Sequence, residues 1–180
     1  PSINLLKDSS IERDDNSWVL GNIGSVNATV EKTTDVSLYG NKSIKIDSNN
    51  SSSKGKVSQN IANLESGTYT FSGYLKTSNI VSEDGGADLI VYYNDANGDV
   101  IYNKTSYIIG TNDWTRYNVS IELPETVTTI GVAVELMNAT GIVYADGLQF
   151  EKGNTVNLYN IVDNGNFKYD ETYWTRTLLT

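Results

Sequence analysis

An all-β fold, two antiparallel sheets stacked as a jelly-roll sandwich, is predicted by three features of this 180-residue chain. Apolar and polar residues alternate with period two along it, turn signals separate the alternating runs, and no segment carries a helical period. Residue usage agrees, since twelve Tyr and three Trp stand against one Met, a bias towards strand-forming side chains. About nine short strands at this spacing make two facing sheets.

The strands follow in chain order. Residues 26–32, 43–47 and 56–61 are short candidates on either side of 47–55 (DSNNSSSKG), which is too polar to bury and reads as a mobile loop. Residues 68–77 place Tyr69, Phe71, Gly73 and Leu75 on one face and Thr70, Ser72, Tyr74 and Lys76 on the other. In 88–94, Leu89, Val91 and Tyr93 alternate with Asp88, Ile90, Tyr92 and Asn94. The Asn97-Gly98 pair is a hairpin signal leading into a strand at 100–109, and Gly110-Thr111-Asn112-Asp113 reads as the next turn. Residues 116–123 and 130–137 alternate again, with Arg116 and Glu135 on their polar faces, and 142–150 follows the Ala139-Thr140-Gly141 turn. Trp18 and Trp114 read as structural, Trp114 sealing the end of the core.

Composition excludes several chemistries. With no histidine and no cysteine, the chain lacks Ser–His–Asp and Cys–His catalysis, imidazole or thiolate metal sites and disulfides. Thirteen basic against 22 acidic residues leave a net charge of −9, which opposes nucleic acid and anionic lipid and suits neutral polymers, cations or basic proteins. No apolar run approaches the roughly 20 residues that span a bilayer, so no membrane insertion is expected. The chain opens at Pro1 without Met or a signal peptide, the expectation for an excised fragment.

A repeat is visible at the two ends. Asn4-Leu5-Leu6-Lys7-Asp8-Ser9-Ser10-Ile11 aligns with Asn160-Ile161-Val162-Asp163-Asn164-Gly165-Asn166-Phe167, and the alignment runs without a gap to Trp18 and Trp174. One module in residues 1–156 is expected, with 157–180 a linker or the opening of a second tandem copy.

Candidate chemistry is sparse. Asn94 to Asp99 imitates a calcium loop, but placing its glycine sixth puts Tyr93 first and Lys104 twelfth, and neither is a ligand there, so it reads as a hairpin turn. Glu12, Asp14, Asp15 and Asp146 are oxygen ligands suited to a hard cation. Glu122, Glu135, Asp88 and Asp95 are available as a glycosidase pair, and Tyr74 with Lys76 as a lyase base, but acids on outward strand faces are usually solvated, and no enzyme is expected. Tyr74 and Tyr92 point away from the core by alternation, as a stacking platform for sugar rings would require.

Three segments and the final strand carry a resemblance: Asn4 to Glu12 (NLLKDSSIE), Gly67 to Thr77 (GTYTFSGYLKT), Asp113-Trp114-Thr115-Arg116, and Gly141 to Glu151 (GIVYADGLQFE). Together they resemble the carbohydrate-binding-module superfamily of families four, nine and twenty-two, as found in tandem modules of clostridial wall-associated and RHS-repeat proteins. The resemblance implies a structural calcium tying the N-terminal segment to the last strand. Glu12 and Asp146 would supply carboxylates and Ser10 a carbonyl, within the 6–8 oxygens such an ion takes; the tail copy has Lys168 where Glu12 stands. Glu135 matches an acidic cleft position, while Ala133 stands where a cleft aromatic is often found. The expectation is a non-catalytic, calcium-stabilised module of a secreted or surface-exposed bacterial protein, a monomer within a larger chain. It would bind a neutral polysaccharide or cell-wall glycan through Tyr74, Tyr92, Glu135 and Arg116. A structural spacer without sugar binding is the alternative.

Overall fold

The computed structural model describes residues 3–162. Ten strands are present: β1 (Val19–Asn22), β2 (Thr29–Thr33), β3 (Ser43–Ser48), β4 (Lys54–Ile61), β5 (Gly67–Val81), β6 (Gly86–Asn94), β7 (Val100–Lys104), β8 (Gly110–Leu123), β9 (Ile130–Met137) and β10 (Thr140–Lys152). They form two five-stranded sheets, the first in the order β1-β4-β9-β6-β7 and the second β2-β3-β10-β5-β8. Every neighbouring pair is antiparallel. The predicted β-sandwich is therefore the observed fold.

Alternation explains the packing. Val57, Leu89, Val91, Val132 and Val134 of the first sheet face Ile44, Ile46, Phe71, Leu75, Val143 and Phe150 of the second, all closed to water. Residues 3–18 stitch the layers together without forming a strand. Leu5 N–H donates to the Phe150 carbonyl in β10, and Lys7 N–H donates to Gln59 Oε1 in β4. Gln59 Nε2 returns bonds to the carbonyls of Lys7 and Ser17. Trp18 closes this end of the core, its Nε1–H donating to the Asp8 carbonyl at 2.9 Å.

Several expectations need correction. β1 carries no alternation signal because it is a short edge strand with Val19 and Leu20 exposed. Residues 110–113 lie inside β8; register shifts against β5 absorb their turn chemistry as bulges, with Asn112 N–H and Nδ2–H both donating to Thr77 Oγ1. The strand expected at 100–109 ends at Lys104, and the chain returns to the sheet through an isolated bridge between Ile108 and Ala87. Within 47–55, Ser48 and Ser53 are buried and bond each other's hydroxyls, so local side-chain bonds take the place of water in a tight turn. Trp114 is only half-buried and stands outside the core cluster; the end of the core is sealed by Trp18 instead. The aligned second copy lies, from residue 163 onward, outside the described residues. Among the described residues no helix is long and apolar enough to cross a membrane.

Phe150 is wholly buried and stacks on Tyr69 with ring centroids 5.3 Å apart. Phe150→Ala should cost about 3–5 kcal/mol of folding stability, read as a shift of the chemical-denaturation midpoint.

Candidate functional site

The outer face of the first sheet gathers the most chemistry. Cross-strand partners share a face, so the register defines it: Lys56 lies opposite Glu135, Glu135 opposite Asp88, Tyr92 between Gly131 and Tyr102, and Ile90 beside Lys104. Central β9 is buried on both faces up to Leu136, and its outward residues Gly131, Ala133 and Glu135 form the floor of this surface. Tyr92 lies across that floor. A Cβ at Gly131 would come within 2.4 Å of the Tyr92 ring, so the glycine is what lets the ring lie down. The Lys56 ammonium stands 4.5 Å from the Tyr92 ring centroid and the Lys104 ammonium 3.5 Å from that of Tyr107, both within cation–π range. Tyr102, beside Tyr92, keeps 55% of its surface exposed.

Beneath these groups lies an acid pair. Asp88 is fully buried, Glu135 is 5% exposed, and neither Asp88 oxygen has a conventional donor. Two adjacent buried carboxylates cannot both hold a charge cheaply, so one proton shared between them accounts for the missing donor. Burial first, then the Glu135 charge and its hydrogen bond, push Asp88 up to about 8, with Lys104 opposing. Burial pulls Lys104 down, but Tyr107 and the acid pair outweigh it and hold this ammonium above its ordinary range.

The second sheet holds the other expected ligands. Tyr74 lies opposite Arg116 on β8 and Asp146 on β10. The guanidinium carbon of Arg116 is 5.5 Å from the Tyr74 ring centroid, and its Nη2–H donates to Ser72 Oγ at 3.1 Å. Tyr39 meets Tyr74 edge-on at 5.9 Å, and Tyr159 packs on Tyr39 at 4.5 Å. Tyr39, backed by Tyr159, thus packs against Tyr74. Tyr74 and Arg116 point outward from one sheet, Tyr92 and Glu135 outward from the other, so Tyr74 and Tyr92 do not form the platform expected from alternation, and the four expected ligands fall into two pairs on opposite faces. Period two distinguishes in from out but does not say to which layer a strand belongs. Lys56, Asp88, Tyr102 and Lys104 were missed as members of the first face, although the outward parity of Tyr102 beside Tyr92 is implicit in a hairpin at Asn97-Gly98.

Glu12 and Asp146 do converge, on the loop of residues 36–42. Glu12 Oε1 accepts the N–H groups of Asn41 and Lys42 at 2.9 and 2.8 Å. Asp146 Oδ2 accepts those of Leu38 and Tyr39, and its Oδ1 that of Gly147. Gly40, at φ +68°, lies so close to the Glu12 carboxylate that an added Cβ would sit 2.5 Å from its carbon. Burial lifts Asp146 to about 6 against those three N–H bonds, and the Glu12 charge adds to the rise. Ser10 lies two residues before Glu12 in a tightly wound turn with Asp8 and Ile11 at positive φ, a costly conformation for a β-branched residue. Among the described residues no three acidic side chains cluster. Main-chain N–H groups already occupy Glu12 Oε1 and both Asp146 oxygens, so a hard cation here would have to share these carboxylates with the loop and draw its remaining oxygens from main-chain carbonyls.

The acid pair has a pH signature. The folded chain holds on Asp88 a proton that the unfolded chain, with its carboxyl near 3.8, has released. That stabilisation is full below pH about 4 and lost as pH rises through about 8. Asp146, lifted only to about 6, adds its own decline at lower pH, so the interval from about 6 to 8 isolates Asp88. The melting temperature should fall across it, and Asp88→Asn, whose amide bonds Glu135 without a shared proton, should flatten the profile.

No protein-family model matches the chain. It is 27% identical to the tRNA nuclease WapA of Bacillus subtilis (strain 168) over 96% of its own length and 8% of that protein's. The chain therefore spans less than a tenth of this curated relative. Among solved structures, it is similar to the xylan-binding domain from carbohydrate-binding-module family 22, with a TM-score of 0.63 and 17% identity over 87% of this chain and all of that one. A family 16 carbohydrate-binding module gives a TM-score of 0.60 and 21% identity over 83% of this chain and all of that one. At these identities the likeness shows a common fold, the two-sheet sandwich that such modules have.

Proposed function

We propose that this chain is a non-catalytic glycan-binding module whose binding surface is the outer face of the first sheet. The observation that carries the reading is the side-by-side placement of Tyr92 and Tyr102 on neighbouring strands, with Tyr92 lying over buried Gly131 and Tyr102 exposed. Tyr102 offers an exposed, flat, polar-tipped ring on which a pyranose stacks, and the Tyr92 ring beside it joins that surface when Lys56 swings off it. The fold shared with the xylan-binding domain supports the reading. Glu135, nearly closed to water, acts by holding the floor with Asp88 rather than by meeting the sugar directly. Tyr74 and Arg116 lie on the outer face of the second sheet, where Tyr39 packs against Tyr74, and are not part of this surface. Burial of the acid pair also argues against a glycosidase, because a substrate must reach both carboxylates.

Calcium is proposed at the loop of residues 36–42, held by the carboxylates of Glu12 and Asp146 with the Ser10 carbonyl in the shell. Such an ion would bind the N-terminal segment to the last strand and close the longest loop in the domain. The module would belong to a secreted or surface-exposed bacterial protein as one unit of a tandem array, weak alone and strengthened by repetition. The nuclease activity named for the WapA proteins would then reside elsewhere in such chains. A spacer without sugar binding is favoured by one observation, the capping of Tyr92 by Gly131 below and Lys56 above.

Intrinsic-fluorescence titration against a glycan panel separates the two readings. Tyr92→Ala and Tyr102→Ala should each weaken binding by roughly 3- to 10-fold; absence of binding to every glycan would establish the spacer. For the ion, chelation should lower the melting temperature of the native chain and leave that of Asp146→Ala unchanged, whereas an indifferent native chain would refute the site.

A further inference from the structure

The lysines divide by sheet. On strands of the second sheet, Lys32, Lys45, Lys76 and Lys152 are each matched by a carboxylate at 2.7–3.3 Å. Lys54, Lys56 and Lys104 of the first sheet form no ion pair with any described residue, although the chain carries an excess of nine negative charges. All three point to the same side. Lys54 and Lys56 flank buried Gly55 on β4, and Lys104 opposes outward-facing Ile90 on β7. The acids on that side are Asp88 and Glu135, which lie buried below the surface. Three strand spacings of about 4.8 Å separate β4 from β7, so the strands that carry these lysines stand about 14 Å apart, with the Lys56 ammonium drawn in over Tyr92 and with Tyr92 and Tyr102 towards one end of the face.

We propose that this face binds an anionic glycan, a polysaccharide bearing carboxylate or phosphate groups at intervals, whose rings lie on Tyr92 and Tyr102 and whose charges meet Lys54, Lys56 and Lys104. The proposal rests on the glycan-binding reading above and replaces the neutral ligand expected from whole-chain charge. An ammonium is a compact charge with three rotatable donors, suited to an anion of variable position on a flexible polymer. Since Lys56 and Lys104 rest on tyrosine rings rather than on carboxylates, an arriving anion displaces no ion pair. Three cations on a strongly acidic molecule favour a sparsely charged chain over a nucleic acid, whose charge at every unit meets repulsion from the rest of the surface.

The test is calorimetric titration of the full chain with unsubstituted xylan, glucuronate-substituted xylan, polygalacturonate, poly(glycerol phosphate) and single-stranded RNA, at low and high salt. The expected result is tighter binding of an anionic glycan than of plain xylan at low salt, on the order of 10-fold. High salt and the triple variant Lys54→Gln, Lys56→Gln, Lys104→Gln should each abolish that advantage. Lys76→Gln on the other face should preserve it, and an unchanged circular-dichroism melt should show the triple variant folded. The uronate and phosphate polymers distinguish the two sources of negative charge. Equal, salt-insensitive binding of plain and substituted xylan overturns this proposal and leaves the glycan-binding reading standing. Preference for RNA overturns it in favour of a nucleic-acid face, and failure of every glycan to bind overturns both readings.

Discussion

Burial of one face of each sheet against the other is the constraint on which the remaining structure depends. Once Val57, Val132 and Val134 are committed to the interior opposite Phe71 and Phe150, the pleat sends their strand neighbours Lys56, Ala133 and Glu135 to the opposite side. A slip of one residue in β9 would turn Glu135 and Ala133 into the core and expose the valines. The surface proposed to meet ligand is therefore the obligatory reverse of the hydrophobic core, and its side chains are held in place by packing they do not share.

The second layer is closed by hydrogen bonds as much as by packing. Asn4, fully buried, accepts the N–H groups of Leu6 and Phe150 on Oδ1 and donates from Nδ2 to the carbonyls of Leu148 and Asn160. These bonds serve the stretch of β10 where the ladder shifts register between Asp146 and Gln149, and Leu148 N–H is taken by the Ser9 carbonyl. A bulge leaves main-chain groups unpaired, and here the N-terminal segment satisfies them. The same bulge turns Asp146 towards the loop that Glu12 also grips, so the two carboxylates meet because the first and last parts of the domain are already joined.

Electrostatics divides the molecule in a way its net charge conceals. The second sheet pairs its strand lysines with carboxylates one by one, while the first sheet buries Asp88 and Glu135 and sets Lys56 and Lys104 against aromatic rings. Burying Asp88 beside Glu135 is costly unless the two share a proton, and the cost is accepted where the central strand can be roofed by the long side chains of its neighbours. The tyrosines do double duty, since the ring of Tyr92 fills the space above Gly131 and also presents an aromatic surface to the Lys56 ammonium.

Alternation in the sequence was sufficient for the fold class, for the approximate places of nine of the ten strands and for the outward direction of Tyr74, Tyr92, Arg116 and Glu135, because a half-buried strand must segregate its side chains by parity. It could not register β1, which buries too little to leave a pattern, nor the bulges of β8 and β10, where tertiary pairing converted turn-like residues into irregular strand. The nearness of Glu12 to Asp146 entered through a family resemblance and not through spacing, since contacts between chain ends have no local signature. Which outward residues share a face was decided only by the tertiary structure. Tyr74 and Tyr92 have the same parity but belong to opposite layers, whereas Asp88 and Glu135, far apart in the chain, became neighbours when β6 paired with β9. Parity is a property of the local chain, and sheet membership is a property of long-range hydrogen bonding; the first is written residue by residue, and the second exists only once the whole chain has closed.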